Sequence, residues 1–166
     1  MWSTRDVVRL AREDLTSDRV HEALRSASAI VHLSTHALAA TNDPRQCALV
    51  VSKGERVGFD RIASGTIDAS LVVLSSCRSG EGEVIPGQGI VGLGWAFLSA
   101  GARGLVVSLW TVDDRSTSAT MIEFHRRLRE GRDVADALAG AQRMIRARHP
   151  HPAWWAPFIA YSQPAR

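Results

Sequence analysis

Residues 71–80, with the sequence LVVLSSCRSG, decide the fold class of this chain. Four consecutive apolar residues, rich in branched side chains, are typical of a strand buried on both faces of a sheet. The small polar residues and the glycine that follow end this strand in a turn that carries Cys77. In parallel α/β sheets, ligands and catalytic groups collect at the carboxyl ends of the strands, so the thiol lies where chemistry is expected. A lone cysteine is more often a small buried hydrophobe, and the interpretation therefore needs a second motif.

Residues 29–37, with the sequence AIVHLSTHA, supply that motif. They form another apolar strand that ends in small polar residues and His36. If the two strands are parallel neighbours, His36 and Cys77 leave the same edge of the sheet and can meet. A nearby imidazole lowers the pKa of a thiol and later protonates the leaving group. The two motifs together predict a Cys/His dyad in which the histidine comes first in the chain.

Five ordered blocks of the sequence resemble the CHAT domain, a caspase-like domain often found beside tetratricopeptide repeats and similar to separase, caspases and gingipains. The blocks are HLSTHA at 32–37, LVVLSSCRSG at 71–80, GLGWAFLSAGAR at 92–103, SLWTVDD at 108–114 and WWAPF at 154–158. The resemblance runs from about residue 16 to the end of the chain. It departs from the usual pattern at Ala37, where the family more often has glycine, and at Arg78, where it often has glutamate. Neither departure removes a catalytic group.

The resemblance implies a caspase-like three-layer α/β/α sandwich with a mainly parallel central sheet. It also implies a cysteine endopeptidase that uses His36 and Cys77, with the backbone N–H groups of Ala37 and Cys77 forming the oxyanion hole. We expect neither a metal nor another cofactor. The implied partners are a protein or peptide substrate and a tetratricopeptide-repeat or other sensor module that controls the enzyme.

Residues 110–114, with the sequence WTVDD, are similar to a separase pattern in which an aspartate receives a basic P1 side chain. Asp114 matches that aspartate, Asp113 lies beside it, and Trp110 would form a wall of the pocket. A charge-assisted contact with a desolvated carboxylate would favour arginine or lysine at P1. An N-cap for a helix starting near Arg115 is an equally good interpretation of either aspartate.

The composition indicates one domain spanning residues 1–166. With 166 residues, 45% of them hydrophobic, the chain can bury a substantial core. The family's first strand and helix are not recognisable, so we expect either a minimal version of the domain or a piece of a longer protein. Lys53 is the only lysine, so almost all of the positive charge is on arginine. The formal net charge of +3 is too small to suggest a nucleic-acid-binding protein. Without an apolar run of membrane-spanning length or a signal peptide, and with only Cys47 and Cys77 as cysteines, we expect a cytoplasmic location.

Predicted strands and helices alternate along the chain, which indicates an α/β class. We expect helices at 5–15, from Ser17 or Asp18 to about 27, in one or two turns at 59–62, at 90–100, from about 115 to 129, and after a capping Asp133. We expect strands at 48–52, 105–109 and 157–161, a loop at 37–46 and a flexible loop at 79–89. Met121, Phe124, His125 and Leu128 form the apolar stripe of the fifth helix. The arginines at 126, 127, 129, 143, 146 and 148 fall largely on solvated faces.

Several alternative site chemistries fit the sequence less well. We interpret His32 as structural, because strand residues four apart do not converge. A zinc site from His32, His36, Cys47 and Cys77 lacks the paired spacing of metal sites, and Cys47 is expected to serve packing. A phosphatase loop needs arginine where Glu83 stands, and an amidotransferase elbow needs flanking glycines and a downstream histidine. An idle caspase-like binding module and a non-proteolytic thiol hydrolase stay open beside the endopeptidase.

Overall fold

The computed structural model describes residues 9–26, 30–38, 43–75, 82–85, 89–110 and 114–162. Their helices and strands largely follow the predicted order. The strands are β1 (Ile30–Leu33), β2 (His36–Leu38), β3 (Ala48–Val50), β4 (Arg56–Gly58), β5 (Leu71–Leu74), β6 (Gly82–Ile85), β7 (Gly89–Gly92), β8 (Gly104–Ser108) and β9 (Phe158–Ser162). The α-helices are α1 (Ser17–Ser26), α2 (Phe59–Ala63), α3 (Leu93–Ser99), α4 (Asp114–Arg129), α5 (Val134–Arg148) and α6 (Pro152–Trp155).

The central sheet has the strand order β1-β5-β8-β9. Strands β1, β5 and β8 are parallel, and β9 runs antiparallel to β8 at the edge. All four residues of β5 are buried, as the apolar run at 71–74 predicted, because β5 is an inner strand covered on both faces. The mainly parallel sheet and the α/β class are therefore confirmed.

Helices cover both faces of this sheet, so the fold has three layers. On one face, Val72 and Leu74 of β5 belong to a core that includes residues of α1, α2 and α3. On the other face, Leu71 and Val73 pack with residues of α4 and α5, including Phe124. Successive residues of β5 thus point into different cores, as the alternation of a strand requires.

A small antiparallel sheet with the order β2-β3-β4 follows the first central strand. The prediction of a loop over 37–46 is wrong at its start, because His36–Leu38 pairs with Ala48–Val50. The predicted strand at 48–52 ends earlier, in a turn over Ser52–Gly54 in which Lys53 and Gly54 have φ angles of 54° and 74°. Strand β4 was not predicted, because three residues with one buried apolar side chain give little alternation.

The glycine-rich segment after the Cys77 motif was expected to be a flexible loop. In its described part, Gly82–Ile85 and Gly89–Gly92 pair as an antiparallel hairpin. Helix α3 consequently begins at Leu93 rather than at residue 90. Its carboxyl end is as predicted: Gly101 follows the last turn with a φ of 110° and donates its N–H to the carbonyl oxygen of Leu98.

Two of the predicted helices, one near the start of the chain and one after residue 133, have different outcomes. The helix predicted at 5–15 lies partly outside the described residues, and its described part contains only a 3₁₀ turn at Arg12–Asp14. Asp133 caps α5 as predicted, because its side chain accepts a hydrogen bond from the N–H of Asp136. Among the helices of the described residues, none is both long and apolar enough to cross a bilayer.

Candidate active site

The register of β1 and β5 determines which residues leave the sheet together. Leu33 is paired with Leu74 as the last residue pair of these parallel strands. One further hydrogen bond continues beyond it, from the N–H of Ser75 to the carbonyl oxygen of Leu33 at 3.1 Å. His36 follows Leu33 by three residues, and Cys77 follows Leu74 by three residues. Cys77 itself lies outside the described residues.

His36 is the first residue of β2, and its side chain is exposed. It pairs with Val50, and the hydroxyl of the preceding residue, Thr35, donates a hydrogen bond to the carbonyl oxygen of Val50. Both contacts are made to Val50, so β3 holds the segment that carries His36. Ala37, the residue expected to contribute an oxyanion N–H, is half-buried and pairs with Leu49.

A cleft of about 660 Å³ opens at this end of the sheet, between the ends of β1 and β5 and the helix α4. The described residues that line it are His32, Ser34, Ser75, Asp114, Thr117, Ser118, Met121, Ile122, His125 and Arg129. Asp114 is exposed at the first position of α4 and faces this cleft. Asp113 lies outside the described residues. Trp110 is half-buried and is not among the described residues that line the cleft, so its predicted role as a wall has no support there.

Three side chains in the cleft form a hydrogen-bonded chain. Nδ1 of His32 lies 2.9 Å from Nε2 of His125, and Nε2 of His32 lies 2.8 Å from Oγ of Ser75. The two imidazole rings meet edge to edge, with centroids 5.0 Å apart and an interplanar angle of 29°. The chain thus joins β1, β5 and α4.

His32 and His125, the two histidines of this hydrogen-bonded chain, favour the neutral form. Burial, followed by the charge of His125, lowers the pKa of His32 to about 4. Burial and the neighbouring Arg129 lower the pKa of His125. His32 presents much of its surface to the cleft, yet the protein around it removes enough hydration to disfavour the imidazolium. At neutral pH these rings therefore act as hydrogen-bonding groups and not as charges.

Sequence reasoning missed this chain of three residues. His125 was assigned to the apolar stripe of its helix, and His32 was considered structural. In the structure both line the cleft. Strand parity could have found Ser75, because it lies on the same face of β5 as Leu71 and Val73, the face that α4 covers.

Neither the second cysteine nor a cluster of metal-ligating side chains adds to this cleft in the described residues. Cys47 is 1% exposed and belongs to the core beneath α1 and α3, which agrees with its predicted packing role. Across the described ranges, no group of three or more His, Cys, Asp or Glu side chains could hold a metal ion.

The three-layer architecture and the strand-end cleft define a caspase-like α/β protein. Within that class, the chain belongs to the CHAT domain family, whose sequence model matches residues 1–163. Tetratricopeptide repeat protein 28 of Mus musculus is 33% identical over 94 residues, which are 55% of this chain and 4% of the mouse protein. Its Homo sapiens counterpart is 32% identical over 95 residues, or 56% of this chain and 4% of the human protein. The chain thus matches only a small part of these relatives' length.

Proposed function

We propose that this chain is a cysteine endopeptidase in which His36 and Cys77 form the catalytic dyad. The observation that carries the proposal is the pairing of Leu33 with Leu74. Adjacent strands lie about 4.8 Å apart, so both chains leave the sheet as neighbours. His36 follows Leu33 by three positions, and Cys77 follows Leu74 by three positions. Three residues extend the chain by at most about 10 Å. Two polar residues that start together and extend equally far are favourably placed to meet above the sheet.

In this mechanism His36 removes the proton of the Cys77 thiol, and the thiolate sulfur attacks the carbonyl carbon of the scissile peptide. The carbonyl oxygen becomes an oxyanion, which the backbone N–H groups of Ala37 and Cys77 stabilise. The protonated His36 then gives its proton to the leaving amine, and a thioester remains on Cys77. Water, deprotonated by His36, hydrolyses that thioester and restores the thiol.

The cleft supports a preference for a basic P1 residue. Asp114 offers a carboxylate at the cleft and, as the first residue of α4, belongs to a helical turn and not to a loop. Arginine entering the cleft loses hydration, and a carboxylate offsets this loss through a charge-assisted hydrogen bond. Asp113 is the alternative acceptor in this proposal. We retain Trp110 only as a residue near the pocket, because it does not line the described cleft.

We further propose that a partner or attached sensor module controls the enzyme, because an unregulated intracellular endopeptidase would damage its host. The name of the mouse and human relatives supports a tetratricopeptide-repeat module in this role. We place the protein in the cytoplasm, where a catalytic thiol stays reduced. In this proposal residues 1–166 form one caspase-like domain.

The decisive experiment uses an electrophilic peptide probe with arginine at P1, which reacts with catalytic thiols. We expect it to label wild-type protein and Cys47→Ala equally, because Cys47 is buried beneath the helices, and to spare Cys77→Ala and His36→Ala. Mass spectrometry of proteins cleaved by wild type and not by Cys77→Ala then establishes endopeptidase activity. Absence of labelling in a folded wild-type protein would instead support an idle binding module. Labelling without any cleaved protein would support a non-proteolytic thiol hydrolase.

A further inference from the structure

We propose that Ser75, His32 and His125 act as a positioning relay, which holds the carboxyl ends of β1 and β5 against α4 at the points from which the chain continues to His36 and Cys77. This inference rests on the proposed function. The three residues touch neither the scissile bond nor the thiol in this proposal. They act through the backbone that places the dyad, so they are positioning residues.

The relay contacts β1 and the residue after β5, which lie upstream of the two proposed catalytic residues in the sequence. Ser75 precedes Cys77 by two positions, and His32 precedes His36 by four. Ser75 is held twice, by its N–H to the carbonyl oxygen of Leu33 at 3.1 Å and by its Oγ to Nε2 of His32 at 2.8 Å. Two bonds at one residue fix both its backbone and its side chain. The segment that leads from Ser75 to Cys77 therefore starts from a restrained residue.

The third member of the relay anchors the strand ends to the helix layer. His125 lies on α4 beside Phe124, which is 0% exposed in the core between the sheet and α4. The ring of His125 meets that of His32 edge to edge, and its Nε2 bonds to Nδ1 of that ring. Because α4 also begins with Asp114, the relay connects the helix of one proposed site residue with β1 and with Ser75, which precede His36 and Cys77 in the sequence.

His32 uses both ring nitrogens for directional bonds, and His125 uses its Nε2. Either proton order along the chain leaves each ring neutral: Ser75 donates to His32, which donates to His125, or all donors run the opposite way. In either order His32 donates one bond and accepts the other, and two directional bonds at one ring are a more specific restraint than apolar packing. Removing either end leaves His32 with an unpaired nitrogen at the edge of the cleft.

The test measures the reactivity of Cys77 itself, which needs no substrate. In a Cys47→Ala background, Cys77 is the only thiol of the chain. We expect its iodoacetamide alkylation rate at pH 7 to fall about tenfold in Ser75→Ala and in His125→Leu, with the pH profile shifted to higher pH by about one unit. Because Ser75 and His125 both act through His32, the double variant should be no slower than either single variant. His125→Gln keeps a polar nitrogen near the Nε2 position and should restore most of the rate.

The outcomes separate a positioning role from general stability. A merely structural role would lower the melting temperature and leave the alkylation profile of the folded protein unchanged, and that result would overturn the relay. Effects of Ser75→Ala and His125→Leu that multiply in the double variant would also overturn it, because they would not pass through His32.

The same measurements separate the relay from the proposed enzyme activity. If wild type cleaves proteins while alkylation ignores the relay variants, the relay is wrong and the endopeptidase stands. If alkylation depends on the relay but wild type cleaves nothing, the endopeptidase is wrong and the relay still positions the thiol.

Discussion

His32 illustrates at the scale of one residue how a site imposes its own electrostatics. The ring lies between Ser75 and His125, and its pKa of about 4 is below the usual value for histidine. The unfolded chain therefore takes up a proton at higher pH than the folded protein does. The contribution of His32 to the free energy of unfolding is therefore fully present above about pH 6.5 and is lost as the pH falls from there towards 4.

We expect His32→Gln to flatten this pH dependence. In urea unfolding between pH 6.5 and 4, the unfolding free energy of wild type should fall more steeply than that of the variant. His125, whose pKa is also lowered, should leave part of the slope in place. Above pH 6.5 the two curves should run parallel, which serves as the internal control. A slope identical in both proteins at every pH would contradict the lowered pKa of His32.

Asp114 carries the second prediction at this scale. Asp114→Asn keeps the size of the side chain and removes its charge, so we expect kcat/KM for substrates with P1 arginine to fall about tenfold to a hundredfold. Asp133→Asn, the same change at the cap of α5, should leave kcat/KM unaltered, because asparagine also caps helices. Profiling a peptide library with each variant measures this. An apolar P1 preference, or a basic preference unchanged by asparagine at both 113 and 114, would refute the pocket.

Where α4 packs against α5, the absence of a side chain at Gly140 leaves room for Arg127. A Cβ added to Gly140 would lie 2.5 Å from Cζ and 2.7 Å from Nε of Arg127. Arg127 meanwhile bonds through Nε to Glu123 at 2.7 Å, and Arg126 holds the same carboxylate. The hydrogen bonds from Arg126 and Arg127 lower the pKa of Glu123 to about 2. The glycine thus accommodates a guanidinium that is already fixed by its own helix.

We therefore expect the effect of Gly140→Ala on the free energy of unfolding to depend on whether Arg127 is present. In wild type, the gain of about 1 kcal/mol in helix propensity should be cancelled or reversed, because Arg127 must leave Glu123. In an Arg127→Ala background the same substitution should stabilise by about 1 kcal/mol. Urea unfolding of the four proteins gives the coupling energy. Effects that add within about 0.3 kcal/mol would show that the guanidinium moves away without cost.

At the scale of elements, the sequence predicts those with strong local signals. The apolar run of β5 and the capping aspartate of α5 gave the right elements, because burial and the cap are encoded within a few residues. The hairpin of β6 and β7 has no such signal, since its glycines are typical of loops and only pairing makes them strands. His125 was misjudged for a related reason: helical periodicity shows that it lies beside Phe124, but only the tertiary contact with His32 shows that it lines a cleft.

At the scale of the whole molecule, one sheet separates two cores. Phe97 lies in the core beneath α1 and α3, and Phe124 in the core beneath α4 and α5. Strands β5 and β8 contribute alternate residues to both cores. Neither core can therefore lose its packing without disturbing the sheet that supports the other.

We expect the two cores to unfold in a single transition. Phe97→Leu and Phe124→Leu should each lower the unfolding free energy by about 1–2 kcal/mol and keep the denaturant slope of wild type. Ile122→Ala, at a side chain that is 68% exposed, should change the unfolding free energy by less than about 0.5 kcal/mol. Circular dichroism and tryptophan fluorescence should give coincident curves for all of these proteins. Two separate transitions in either phenylalanine variant would show that the layers unfold independently.

The turn at Ser52–Gly54 has a consequence for labelling chemistry. It carries Lys53, which is exposed and provides the only side-chain amine of the protein. An amine-reactive fluorophore will therefore attach at this residue, apart from the α-amino group. Lys53 follows Val50, the partner of His36, by three residues, so the dye would sit within about 10 Å of backbone reach from that pair. A single reporter can thus be placed close to the paired strands that carry His36 without changing any residue.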